Sequence, residues 1–307
     1  MSKTLIIGAS GMVGSALVRK LDQNFLLIPS RNELNLFNQE QTFDYFNQHR
    51  PDYVYMCAAT VGGIGANMKH SSKFFTENIQ IQLNFFEALK KYPVKKALYV
   101  GSSCIYPRNT SQPMSENQLM TGEFEPTNEG YAVAKMSGIY QAKFLFQEFG
   151  IITLCPIVSN IYGTNDYYDE NRSHVIAALI RRIENAKLKN LPEVTCWGTG
   201  IARREFIHVD DVARIFISLM ENYNDIKPIN LGSGSDISIK ELAELIKKLI
   251  DYNGDIKWDD TKPDGMPVKC MNVSKLNSLG IATKISLPDG LTSTINEYRK
   301  GLLNGFK

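Results

Sequence analysis

Tyr131 and Lys135 stand four residues apart in a run, Tyr131 to Leu145, whose apolar spacing predicts a helix, so the phenol and the ammonium share one face. A free tyrosine ionises near pH 10, and a neighbouring cation is what makes it a usable acid near neutrality. Ser102 and Ser103 follow the apolar run Ala97 to Val100, predicted as a strand. Open α/β sheets bind ligands at the carboxyl ends of their strands, where a serine hydroxyl can hold a carbonyl oxygen beside the phenol. The chemistry implied is carbonyl reduction. Gly8-Ala9-Ser10-Gly11-Met12-Val13-Gly14 suggests the reductant, since this GxxGxxG turn joins a first strand to a first helix. Its amides and the helix dipole can face a pyrophosphate, with glycine permitting close approach, as in a dinucleotide site. Ser30-Arg31 ends the second predicted strand, where an NAD site usually places an acidic residue. Arg31 therefore favours the 2′-phosphate of NADPH; the alternative is that Arg31 is a solvated charge and Glu33 holds the ribose.

These groups need a scaffold, and the hydrophobic pattern describes one. Short apolar runs at 4–7, 25–28, 53–57 and 97–100 alternate with helical patterns such as 12–21 and 78–90. Such alternation predicts a doubly wound parallel sheet with helices on both faces, the α/β Rossmann class. Past Gly163 the alternation weakens: a polar loop at 164–173 precedes a helical pattern, Val175 to Ala186, then a strand-like run, Val194 to Trp197. We expect a cofactor domain over 1–163, rejoined by about 205–232, and a smaller substrate lobe from 164–204 and 233–307. Among 307 residues, 34 Lys plus Arg offset 32 Asp plus Glu, leaving +2, too little and too dispersed for a nucleic acid or anionic membrane partner. No apolar stretch approaches the roughly 18 residues of a membrane span and no leader pattern opens the chain, which reads as cytoplasmic. Five single cysteines and four histidines indicate neither a disulfide framework nor a zinc site, and no metal is expected. His208, Asp210 and Asp211 read as a strand running into a helix with an Asp as N-cap.

Taken together, the sequence resembles the extended short-chain dehydrogenase/reductases, and within them the GDP-L-fucose synthase family, NADPH-dependent epimerase-reductases of GDP-4-keto-6-deoxy-mannose. The resembling stretches are AATVGGIGAN (58–67), GSSCIYP (101–107), EPTNEGYAVAK (125–135), SHVIAALIRR (173–182), WGTG (197–200), REFIHVDD (204–211) and KPDGMPVK (262–269). The resemblance implies that Ser102, Tyr131 and Lys135 are reductase residues and that Cys104 and His174 are the epimerase base and acid. It implies cofactor contacts from the glycine turn, Arg31, Ala58, Lys135 and His174, and GDP-sugar contacts from Ser103, Asn160, Arg182, Trp197, Arg204 and Lys269. It also implies a homodimer through helices matching 78–90 and 131–149, which would cover Tyr140, Phe144, Phe146 and Phe149.

The chemistry suits these residue types. A C4 ketone acidifies the protons on C3 and C5, so a thiol can remove one and an imidazole return one from the other face. Read without the resemblance, Cys104 is a small buried hydrophobe and His174 a helix cap. The chain departs from the family at Thr60 (usually lysine), Gly130 (proline), Val158-Ser159-Asn160 (Pro-Thr-Asn) and the loop 166–171, changes expected around the sugar. Two substrates follow, a GDP-4-keto-6-deoxy hexose, or a heptose reduced at C4 without epimerisation. Sugar-nucleotide dehydratases place an acidic pair where this chain has Ser103-Cys104, and UDP-sugar 4-epimerases hold NAD, against which Arg31 argues. The rival of another class is a non-catalytic dinucleotide sensor or scaffold, which typically loses the Tyr or the Lys that this chain keeps.

Overall fold

The computed structural model describes residues 2–169, 173–262 and 264–304; residues 170 and 171 of the loop noted above, Arg172, Pro263 of the KPDGMPVK stretch and 305–307 lie outside the described residues. The amino-terminal half alternates β1 (Thr4–Ile7), α1 (Met12–Lys20), β2 (Leu26–Leu27), α2 (Gln39–His49), β3 (Tyr53–Met56), α3 (Ile64–Lys69), α4 (Ser71–Lys91), β4 (Lys96–Tyr99), β5 (Gly101–Ser102), α5 (Glu129–Phe149), β6 (Thr153–Leu154), β7 (Pro156–Val158) and β8 (Asn160–Tyr162). It continues through α6 (Val175–Leu188), β9 (Glu193–Trp197), β10 (Arg203–His208), α7 (Val209–Asn222), β11 (Ile229–Leu231), β12 (Asp236–Ser238), α8 (Ile239–Ile250), β13 (Asp255–Asp259), β14 (Val268–Lys269), α9 (Ser274–Ser278) and α10 (Leu287–Asn304).

Strands of the first half pair in parallel in the order β2-β1-β3-β4-β6. After one intervening residue, Val100 or Cys155, β5 and β7 carry two of these strands onward, and β11 joins β7, again in parallel. Apolar side chains from both faces are buried because helices cover both. Phe46, Phe85, Phe86 and Leu89 fill one side, and Ala16, Leu17, Val212, Phe216 and Leu219 the other. β2 lies on one flank of β1 and β3 on the other, so the strand order reverses there, and a crevice opens at the carboxyl ends of these strands.

The second half builds smaller sheets. β10 pairs in parallel with β8 and β14 and antiparallel with β12, while β13 pairs with β9. Ile176, Ile180, Ile183, Leu242, Ile246 and Leu291, from α6, α8 and α10, form a separate core. α7 and β11 therefore belong with the main sheet, and β10, whose strand partners lie outside it, still buries Ile207 in the core that α7 shares with that sheet.

Local sequence explains most boundaries. The run 25–28 yields only two strand residues, because the Asp22 carboxylate accepts from the Asn24 amide at 3.1 Å and holds Gln23–Phe25 in a 3₁₀ turn. The helices expected at 78–90 and 131–145 each run 21 residues, and Gly150, at φ +69°, ends the second. The N-cap of α7 is His208 rather than an aspartate: its Nδ1 accepts from the Asp210 amide at 3.2 Å. Asp211 instead accepts from the amides of Lys284 and Ile285, both at 2.8 Å, and pairs with Arg214 at 2.7 Å. Among the described residues no three His, Cys, Asp or Glu gather as a metal site, and no helix is long and apolar enough to cross a membrane.

Candidate active site

The crevice holds a cavity of about 380 Å³ bounded by both halves of the chain. On the cofactor side, Gly8 bends the chain at φ +83°, which only glycine adopts without strain, and a Cβ at Gly14 would lie 2.2 Å from the Gly8 carbonyl oxygen. The turn thus draws the start of α1 onto the end of β1. No side chain caps that helix at Gly11, so its first amides are left to an external acceptor. Gly11, Met12, Val13 and Gly14 line the cavity. Gly8 and Ala58 shape it from behind, since a Cβ on Gly8 would meet the Ala58 nitrogen at 2.8 Å. The Ser10 carbonyl accepts from Asn165 Nδ2 at 2.7 Å, tying the turn to the loop after β8. Arg31 lies outside the lining with its guanidinium 5.3 Å from the Phe37 ring centre, and Glu33 accepts from Ser30 instead of reaching the cavity. An uncapped helix start, a cradle closed to any Cβ and an exposed arginine beyond it fit a phosphorylated dinucleotide.

Ser102, Ser103 and Cys104 continue β5 into a 3₁₀ turn, and α5 presents Tyr131 and Lys135 to the same cavity. Burial raises the Tyr131 phenol pKa well above 10 and the nearby Cys104 sulfur adds to the effect, while a hydrogen bond with Ser102 opposes it. Lys135 shifts the other way, to about 8, again by burial. Its Nζ donates to the Val100 carbonyl at 3.0 Å and lies 6.0 Å from the Tyr131 ring centre. The expectation that Lys135 draws the phenol toward neutrality is therefore corrected: desolvation dominates both groups and keeps Tyr131 protonated. For a reductase this is the useful state, because the phenol must begin with the proton it gives away. An alkoxide still takes that proton readily, being far more basic than any tyrosine.

The Cys104 sulfur accepts from Asn128 Nδ2 at 3.3 Å and from Lys269 Nζ at 3.4 Å. The sulfur is therefore held by two polar donors rather than packed among apolar side chains. His174 occupies the N-cap position of α6 without a side-chain capping bond, and its ring lines the cavity instead. The residue is exposed to solvent at the cavity mouth, and desolvation on its inner side lowers the imidazole pKa from its ordinary value. Arg204 also lines the cavity, fixed by donation to the carbonyls of Met266 at 2.5 Å and Asp264 at 2.9 Å. Ser103, Asn160 and Lys269 complete the predicted group.

Two predicted GDP-sugar contacts are not brought in. Arg182 stacks on Trp197 at 4.8 Å, and both stand outside the cavity lining, with the indole 57% exposed. The family departures also divide. Ser159 and Asn160 line the cavity, but Thr60 is bound to α4 through Glu77 (2.7 Å) and Asn78 (3.0 Å), and Gly130 faces Ser71. Residues not anticipated also reach the cavity: Asn67, Asn128, Glu125, Asp166 and Cys57. Burial pushes Asp166 up to about 7. Asn67 and Asn128 sit inside two of the resembling stretches, so position alone was the available signal.

Residues 4–232 match the family model described as NAD dependent epimerase/dehydratase family. The chain is 44% identical over 306 residues to GDP-L-fucose synthase 1 of Arabidopsis thaliana, covering 99% of this chain and 95% of that protein. It belongs to the NAD dependent epimerase/dehydratase family, in its GDP-L-fucose synthase branch. Among solved structures, it superimposes on a GDP-6-OMe-4-keto-L-xylo-heptose reductase from C. jejuni with a TM-score of 0.92 at 31% identity, covering 97% of this chain and 98% of the other. A GDP-mannoheptose C4 reductase from Campylobacter jejuni with NADP bound gives a TM-score of 0.88, also at 31% identity, over 97% and 98% of the two chains. The fold is that of the extended short-chain dehydrogenase/reductases, with a Rossmann sheet carrying the glycine turn.

Proposed function

We propose that this protein is an NADP-dependent oxidoreductase that reduces the C4 ketone of a GDP-4-keto-6-deoxy sugar. The observation that carries this reading is the convergence of Ser102, Tyr131 and Lys135 on one cavity with the open glycine turn. The turn, with Arg31 beyond it, would hold the dinucleotide, and Lys135 and His174 would contact it further along. When bound, the reduced nicotinamide supplies a hydride. Tyr131 gives its proton to the ketone oxygen as C4 gains that hydride, so the carbonyl becomes an alcohol and the tyrosine is left as phenolate. Ser102 orients the oxygen, and Lys135, charged below about pH 8, stabilises the phenolate until solvent reprotonates it. Arg204, Lys269, Ser103 and Asn160 would face the nucleotide sugar. Arg182 and Trp197 would meet its outer end.

The 44% identity to a fucose synthase favours a six-carbon sugar, and the superposition on heptose reductases at 31% identity keeps a seven-carbon sugar as the alternative. A second reading, reduction without epimerisation, draws on His174: the partial desolvation that lowers its pKa makes the protonated imidazole harder to form, although the residue is solvent-exposed and bound diphosphate would raise its affinity for a proton. We assign the cofactor to 1–163 with about 205–232, and the GDP-sugar to 164–204 with 233–307. The exposed apolar residues Phe75, Leu83, Phe144 and Phe149 on α4 and α5 support a homodimer, and we propose a cytoplasmic location. Steady-state NADPH oxidation with GDP-4-keto-6-deoxy hexose and heptose side by side tests the reaction, with turnover expected on the hexose. Turnover of neither, despite NADPH binding, would favour the sensor. Running the reaction in heavy water tests epimerisation, because Cys104 and His174 acting together must leave deuterium at C3 and C5.

A further inference from the structure

Asn165 stands in the loop after β8, outside the cavity lining, with φ at +69°. Its Nδ2 donates to the Ser10 carbonyl at 2.7 Å and lies 3.4 Å from the Ser15 hydroxyl, so one amide touches both the glycine turn and the first turn of α1. A carbonyl oxygen only accepts, which identifies that end of the amide as nitrogen. The peptide between Ser10 and Gly11 is thereby held at both ends, because the Gly11 amide donates to the Gly8 carbonyl at 3.0 Å. Immediately beyond it, Met12 and Val13 line the cavity at the uncapped start of α1. On its other side Asn165 is fastened to α10. Its backbone amide donates to Glu297 Oε1 at 3.0 Å, and Tyr168, in the same loop, packs on Tyr298 with ring centres 4.6 Å apart. Tyr298 belongs to the core that α10 shares with α6 and α8. Between these anchors, Asp166 and Tyr167 line the cavity.

We propose that Asn165 is a positioning residue through which the sugar-binding lobe holds the dinucleotide turn, so that each ligand strengthens the binding of the other. The proposal rests on the two ligand assignments made above. A nucleotide sugar seated against Asp166 and Tyr167 fixes their loop, and the fixed loop presents Asn165 to the Ser10 carbonyl. A dinucleotide on the first amides of α1 fixes the same peptide from the cavity side and so orders the loop in return. Linkage makes the two effects equal in size. Neither ligand needs to touch Asn165, which acts through the backbone of the turn.

The test titrates NADPH into the full-length protein by fluorescence, alone and with saturating GDP-mannose, which has no ketone to reduce. In the native protein GDP-mannose should tighten NADPH binding by about 5-fold or more. Asn165→Gly tolerates the positive φ but removes the side-chain amide. It should weaken NADPH alone by about 3- to 10-fold, the worth of one hydrogen bond, and lose most of the tightening. In turnover with a GDP-4-keto-6-deoxy sugar its KM for NADPH should rise while kcat changes far less, a split that general damage to the fold would not give. Glu297→Ala, which removes the acceptor on α10, should act in the same direction, and Glu297→Gln, whose amide oxygen still accepts, should bind NADPH like the native protein. If Asn165→Gly fails to fold, Glu297→Ala carries the prediction. Unchanged NADPH affinity in folded Asn165→Gly, or tightening that survives the substitution, would overturn the proposal. So would a native protein that binds both ligands with no tightening, which would leave the reductase reading intact. A native protein that fails to bind NADPH or GDP-mannose would overturn the ligand assignments and the proposal with them.

Discussion

At the scale of single residues, the site is governed by burial more than by charge pairing. Lys135 follows Tyr131 by one helical turn, as the sequence requires, but its ammonium bonds the Val100 carbonyl and has a lowered affinity for protons. Spacing made the pair legible; the direction of both shifts was not, because desolvation depends on what the fold packs around them. Two consequences follow. Tyr131→Phe should lower kcat by roughly 10²–10⁴, the range for a general acid, with NADPH affinity nearly unchanged. Separately, Lys135 loses its charge as pH rises through about 8, so kcat/KM of the native enzyme should fall above that pH. A profile flat up to the ordinary lysine value of about 10.4 would show that the charge is not used.

At the scale of elements, β10 joins the halves, and Glu205 is its fastening. The carboxylate is 1% exposed and accepts from the amides of Gly234 at 2.6 Å and Met271 at 2.9 Å. Burial still outweighs these bonds and raises its pKa from 4.5 to about 7. The folded state therefore keeps a proton that the unfolded chain releases between those values. Stability present at acid pH is lost as pH rises through about 7, by an amount of the order of 3 kcal/mol for the full shift. Thermal midpoints of the native protein should fall from pH 5 to pH 8, and those of Glu205→Gln should not follow; parallel curves would refute this role. The sequence showed β10 running into α7 but not where β10 would pair, since its partners β8, β12 and β14 are only two or three residues long. Gly130 is similar. As a departure from the family it reads as a change at the sugar, yet a Cβ there would lie 2.6 Å from Ser71 Oγ, so its glycine answers to the crossing of α4 and α5. A proline carries the same Cβ.

At the scale of the whole molecule, the alternating first half was legible because buried parallel strands leave continuous apolar runs punctuated by glycine. The second half was less so, with a core of helices and two-to-six-residue strands whose pairing is long-range. Only in three dimensions do Asn67, Asn128 and Asp166 join Cys104 and His174 around one cavity, because they come from a short helix, a 3₁₀ turn and a loop whose approach no local pattern records. That cavity is the meeting place of a hydride donor's cradle and a sugar's ketone. The most direct measurement of this account uses NADPH deuterated at the transferable C4 position of the nicotinamide, with a GDP-4-keto-6-deoxy sugar, and locates the label by NMR and mass spectrometry of the product. We predict deuterium on C4 of the sugar as a newly formed alcohol, in one configuration. Oxidation of the cofactor with no label on the sugar, or recovery of the ketone unchanged, would contradict it.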